Sequence, residues 1–127
     1  MARVLLIEDD ELSMITVAKF LASGGHGVAE ATDGEKALAR DDLDTFDLVV
    51  TDLIMPNREG ISTIGELKVK YPEKKIMVIT GGGSFARPRD MYADMALKLG
   101  ADAALLKPFS QAEFLAVVDQ VLNTSPP

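Results

Sequence analysis

Four short apolar runs in this chain each lead into polar residues that could act together. Glu8 and Asp9 follow Val4-Leu5-Leu6-Ile7, and Asp52 lies just past Leu48-Val49-Val50. Thr80 follows Ile76-Met77-Val78-Ile79, and Lys107 follows Ala103-Ala104-Leu105-Leu106. If the runs are neighbouring parallel strands, all of these groups gather at one edge of one sheet. Carboxylates held close repel, so such a cluster favours a bound cation or a raised pKa. Oxygen ligands of this kind suit Mg²⁺, a hard ion that keeps several waters. A carboxylate can also take up a phosphoryl group as an acyl phosphate, while a hydroxyl and an ammonium hold the phosphoryl oxygens.

The elements that must position these groups can be read from periodicity. Short apolar runs bounded by acids or glycines predict strands near 3–7, 27–31, 47–51, 75–79 and 103–106. The stretches between carry helical spacing near 11–23, 34–41, 58–70, 88–99 and 110–122. Phe114, Val117, Val118, Val121 and Leu122 form one apolar stripe, and Ser110 with Glu113 makes a capping box at its start. Thr32-Asp33-Gly34-Glu35 carries the same signature before the second helix, and Asp10 is a candidate N-cap for the first. Met14, Val17, Ala18 and Leu21 stripe the first helix, which stops at Gly24-Gly25. Tyr92, Met95, Ala96 and Leu99 do the same in the fourth, with Gly100 as its left-handed stop. The methionines in these stripes are core residues rather than thioether ligands.

Strict alternation of strand and helix implies an α/β fold: one doubly wound, five-stranded parallel sheet with helices on both faces. The expected order is 2-1-3-4-5, that of flavodoxin-like (βα)5 folds. Ligands in such sheets sit beyond the carboxyl ends of the strands, where the order reverses. That point falls between strands 1 and 3, so Glu8 and Asp9 meet Asp52 there. Thr80 and Lys107 arrive from the other side of Asp52. Asp52 is best placed to be both metal ligand and nucleophile, in a metal-dependent phosphoryl acceptor.

At these residues the chain resembles the bacterial response-regulator receiver domain from end to end. The matching motifs are Val4-Leu5-Leu6-Ile7-Glu8-Asp9-Asp10, Asp52-Leu53-Ile54-Met55-Pro56-Asn57-Arg58-Glu59-Gly60, Ile79-Thr80-Gly81 and Lys107-Pro108-Phe109. Each is weak alone, whereas four in order at strand ends are specific. The resemblance implies a two-component phosphoacceptor domain rather than an enzyme. Asp52 would take phosphate from the phosphohistidine of a sensor kinase or phosphotransfer protein. Asp9, Asp52 and the Ile54 backbone carbonyl would bind Mg²⁺, with Glu8 acting through water. Thr80, Gly81 and Lys107 would form the phosphoryl-binding and switch positions, and the bond before Pro108 would be cis. A phosphatase and a downstream protein partner or output domain are further implied partners.

Two departures from the family pattern stand out. The position three before the lysine, usually Tyr or Phe, is Ala104, so an aromatic switch cannot work through it. The segment Gly81-Gly82-Gly83-Ser84-Phe85-Ala86-Arg87 is long for a connection of this kind, which typically runs ~2–6 residues. It could replace the aromatic as the moving part, with Phe85 as an apolar latch, or be a longer loop with no signalling role. Arg87 and Arg89 could meet phosphate or acids, or be solvated. Small Gly81 should leave an acyl phosphate open to donors and water. Ile54 and Gly82 offer no side chain to orient a hydrolytic water, so assisted rapid dephosphorylation is not expected.

Other phosphate-handling folds lack their marks. No Gly-rich fingerprint follows the first strand, and no Walker A lysine motif occurs. Glu8-Asp9-Asp10-Glu11 would repel a flavin phosphate. A haloacid-dehalogenase-type phosphatase would carry an Asp-x-Asp pair here. The alternative that survives is a pseudo-receiver, an interaction module that binds a partner without phosphate.

Bulk composition agrees. The 127 residues, 47% hydrophobic and 26% charged, suit one domain with a real core. Twenty acidic against 13 basic residues argue against sequence-independent nucleic-acid binding and against an anionic membrane surface. No apolar stretch approaches a membrane span, and the first run is too short for a signal-peptide core. The absence of cysteine excludes disulfides and thiolate chemistry and fits a cytoplasmic setting. His26, between Gly25 and Gly27, reads as a turn residue rather than a catalyst. The expected domain is 1–122, with 123–127 a tail or the start of a linker.

Overall fold

The computed structural model of the protein describes residues 2–53, 59–81 and 89–124, and for 59–60 and 89–93 the backbone alone. The elements alternate along the chain. They are β1 (Arg3–Ile7), α1 (Glu11–Ser23), β2 (Gly27–Ala31), α2 (Gly34–Leu38), β3 (Leu48–Asp52), α3 (Glu59–Lys70), β4 (Lys75–Thr80), α4 (Arg89–Lys98), β5 (Ala103–Leu106) and α5 (Gln111–Asn123). The strands form one sheet in the order β2-β1-β3-β4-β5, and every neighbouring pair is parallel. The expected fold and strand order are those observed.

The two faces follow from the period of two in each strand. Leu5, Ile7, Val49, Ile76 and Val78 point to one side and pack with Ala37, Ile64, Leu67 and Ala96 of α2, α3 and α4. Val4, Leu6, Leu48, Val50, Met77 and Ile79 point to the other and meet Met14, Val17 and Leu21 of α1 and Phe114, Val118 and Val121 of α5. The central strands are therefore apolar on both faces, as a parallel sheet covered by helices requires.

The described helix ends were legible with two exceptions, and the expected starts at 58 and 88 lie outside the described residues. The Asp10 carboxylate caps α1 by accepting from the Ser13 N–H at 2.8 Å. Ser110 and Glu113 form the expected reciprocal box, each bond 3.0 Å. Gly25 and Gly100 adopt positive φ, 85° and 114°, after α1 and α4. At α2, however, Asp33 rather than Thr32 is the N-cap, accepting from the Lys36 N–H at 2.7 Å. Thr32 instead accepts from the Lys36 ammonium.

The second exception is the other end of α2, which stops at Leu38 rather than 41. The Asp42 carboxylate takes both Arg40 Nε and Nη2, at 2.8 and 2.9 Å, and Arg3 Nη2 at 2.9 Å. Residues two apart point to different sides of an α-helix, so the Arg40–Asp42 fork excludes helix there. A short 3-10 turn, Leu43–Thr45, follows, and Lys74 Nζ caps the Leu43 and Phe46 carbonyls. The α4 stripe is also only partly a core face. Ala96 is buried, but Met95 and Leu99 are exposed, and the Tyr92 side chain lies outside the described residues. His26 is structural: its Nδ1 accepts the Ala2 N–H at 3.1 Å, tying the start of β1 to the α1–β2 turn.

Candidate functional site

The site lies where β1, β3, β4 and β5 end. Register places Asp52 beside Ile79, Thr80 beside Leu106, and Ile7 beside Thr51. Because the strands are parallel, each contributes its next polar residue to the same edge. Two backbone bonds hold the edge together: Leu53 N–H to the Ile79 carbonyl at 2.9 Å, and Lys107 N–H to the Thr80 carbonyl at 2.8 Å.

Carboxylate oxygens of Glu8, Asp9 and Asp52 can be chosen that all lie within 4.8 Å of one another. Glu8 is only 1% exposed and Asp52 5%, whereas Asp9 faces solvent. Thr80 is fully buried. The Lys107 ammonium donates to Asp52 Oδ2 at 3.0 Å, to Glu8 Oε1 at 3.3 Å and to Ser13 Oγ at 3.4 Å. The Asp10 N–H donates to the second Glu8 oxygen at 3.1 Å. Gly81 follows Thr80 at the rim, where an added Cβ would stand 3.8 Å from Lys107 Cδ. The Lys107–Pro108 bond is cis. Ala104 pairs with Val78 and packs, half-buried, on the core beneath α4.

Burial pushes the Glu8 carboxyl up to about 7, and the neighbouring Asp52 charge adds to the rise. The Asp10 N–H and Lys107 pull the other way without cancelling it. Burial alone would lower the Lys107 pKa, but the Asp52 and Glu8 carboxylates outweigh it and the net shift is upward. The pocket thus gathers more negative charge than one ammonium neutralises. That is the chemistry of a cation site, and the all-oxygen donor set suits a hard ion such as Mg²⁺.

Glu8, Asp9, Asp52, Thr80, Gly81 and Lys107 all reach the same edge, whereas Ala104 lies within β5, beside Val78. The Ile54 carbonyl and the segment from Gly82 to Pro88, including Arg87 and the expected latch Phe85, lie outside the described residues. Sequence reasoning missed Ser13. Its signal was a hydroxyl one and two helical repeats before Val17 and Leu21, at a position where the buried stripe of α1 calls for an apolar residue.

Comparison with known proteins agrees with this arrangement. The response regulator receiver domain profile matches residues 4–119, and the chain belongs to that family. It is 35% identical over 125 residues to the transcriptional regulatory protein CpxR of Klebsiella pneumoniae, covering 98% of this chain and 51% of the relative. It is 32% identical to the alkaline phosphatase synthesis transcriptional regulatory protein PhoP of Bacillus subtilis, covering 98% and 50%. The chain thus spans about half the length of these curated relatives. Among solved structures, the receiver domain of NtrX from Brucella abortus superposes with a TM-score of 0.86 at 28% identity, covering 96% of this chain and 99% of that one. This is a receiver domain of two-component signalling.

Proposed function

We propose that Asp52 is the phosphoacceptor of this receiver domain. The observation that carries the reading is the Lys107–Asp52 contact of 3.0 Å at the strand-end edge where Glu8, Asp9 and Thr80 also lie. A donor phosphohistidine places its phosphorus in line with an Asp52 carboxylate oxygen. The new O–P bond forms as the N–P bond breaks, and the bonding pair leaves with the imidazole nitrogen. Little covalent work is asked of the protein, because such transfers run on positioning and charge neutralisation. Lys107 supplies a fixed positive charge, and Thr80 a hydroxyl for a phosphoryl oxygen.

Glu8, Asp9 and Asp52 would hold Mg²⁺, with the Ile54 carbonyl as a further ligand. When bound, the ion supplies charge neutralisation and aligns the phosphoryl oxygens. Buried Glu8, fixed by the Asp10 N–H, keeps the acidic cluster in shape for it. The phosphorylated state then biases a conformational equilibrium that partners read. The partners proposed are a histidine kinase or phosphotransfer protein, a phosphatase, and an output domain or downstream protein. The proposed compartment is the cytoplasm; no helix among the described residues is long and apolar enough to cross a membrane. The domain assists its own phosphorylation and dephosphorylation, and its role is signalling rather than turnover of a substrate.

The test is intact-mass measurement after incubation with Mg²⁺ and acetyl phosphate. Wild type should gain one phosphate and Asp52→Ala none. An adduct that persists in the variant moves the acceptor elsewhere, and no adduct in either protein overturns the reading.

A further inference from the structure

Ser13 occupies a position that packing alone would give to an apolar side chain. It stands one and two helical repeats before the buried Val17 and Leu21, and is itself half-buried. Its surroundings include a hollow of about 220 Å³ lined by Leu12, Ser13, Thr16, Val17, Lys107 and Phe109. A half-buried hydroxyl among apolar side chains is unfavourable unless it has a polar partner. Its partner is Lys107, whose Nζ lies 3.4 Å from Ser13 Oγ. The Ser13 backbone is itself fixed, because its N–H is bonded to the Asp10 cap. The hydroxyl therefore projects from a held turn, whereas the lysine head rides on a long flexible stem.

That ammonium also donates to the Glu8 and Asp52 carboxylates, and both belong to the acidic cluster. A divalent cation on the cluster competes for the same oxygens and repels the ammonium. Ser13 Oγ is neutral and lies outside the cluster, so it remains an acceptor when the carboxylates are engaged. It holds Lys107 from the α1 side without adding negative charge.

We propose that Ser13 is a positioning residue for phosphoryl transfer, its hydroxyl holding the Lys107 ammonium beside Asp52 from the first turn of α1. This rests on the reading of Asp52 as phosphoacceptor. Ser13 acts through Lys107 and need not touch the phosphoryl group.

Three proteins decide the matter: wild type, Ser13→Ala and Ser13→Thr. Alanine is the best helix former, so the first variant should fold. Two quantities are measured with Mg²⁺ present. One is the rate of adduct formation from acetyl phosphate, and the other is the acylation rate of Lys107 read by peptide mass spectrometry. Ser13→Ala should slow adduct formation about threefold to tenfold, the effect of losing one hydrogen bond of ordinary net strength. The freed Lys107 amine should acylate faster. Ser13→Thr keeps the hydroxyl and should stay near wild type in both. A wild-type rate in Ser13→Ala overturns the proposal. So does a slower rate with Lys107 reactivity unchanged, since the effect then does not pass through the lysine. If wild type gains no phosphate at Asp52, the functional reading fails first and this inference with it, before any Ser13 variant is compared.

Discussion

At the scale of single residues, the strand-end site holds charged groups that are largely buried. Glu8 and Asp52 are buried together, and Lys107 bridges them at 3.3 and 3.0 Å. Such an arrangement makes sense where a cation and a phosphoryl group are to be received. The residues two past Asp52 and two past Thr80 are Ile54 and Gly82, and neither carries a group that could orient water. Once formed, the Asp52 adduct should therefore survive removal of acetyl phosphate and decay slowly. Its lifetime is read by mass after desalting, and near-complete loss within the desalting step would contradict the expectation. Ala104 leaves no aromatic ring to respond to Thr80. Whatever relays the phosphorylated state here does not turn such a ring at that position.

At the scale of elements, the caps set where each helix begins and so where the site loops end. Asp10 starts α1 directly after the acid pair, which fixes the turn that carries Glu8, Asp9 and Ser13. Ser110 starts α5 three residues after Lys107. Hydrogen bonds from the Ser110 backbone and hydroxyl hold the Glu113 carboxyl below its ordinary range. A carboxyl lowered by folding contributes stability above its unfolded pKa, about 4.3, and that contribution is lost as pH falls through the folded value. Glu113→Gln should accordingly melt below wild type near neutral pH, with the gap closing below about pH 4. Thermal unfolding of both proteins over this range checks it, and other titrating groups cancel in the difference. A gap that widens on acidification would be the wrong sign.

At the scale of the whole molecule, the face of the sheet covered by α1 and α5 also supports the Lys107 loop. Phe114 is fully buried and stacks on Phe109 with ring centroids 5.5 Å apart, while Phe20 of α1 lies 6.0 Å from Phe114. Phe109 is two residues beyond Lys107, across the cis Pro108 bond. Phe114→Ala should cost about 3–5 kcal/mol of stability, as lost burial plus a cavity. Urea unfolding measures that loss. Phosphorylation should also slow, because the ring that seats Phe109 is gone. A variant with the full loss of stability but the wild-type rate of adduct formation would separate the core from the site.

The sequence by itself determined the architecture and which residues meet at the candidate site's edge. Apolar runs with a period of two on each face, helices between them and acids at the strand ends allow one economical arrangement, because a parallel sheet must be covered on both sides. Strand ends are local signals, so Glu8, Asp9, Asp52, Thr80 and Lys107 could be named before their distances were known. The tertiary structure decided what depends on contacts between distant parts of the chain. Arg3, from β1, joins Arg40 at the Asp42 carboxylate that accompanies the early end of α2. Ala2 finds His26, and Ser13 finds Lys107 across 94 positions. Periodicity reports which face a residue takes within its own element. It carries no information about which side chain of another element stands opposite, because that follows from how the helices settle on the sheet.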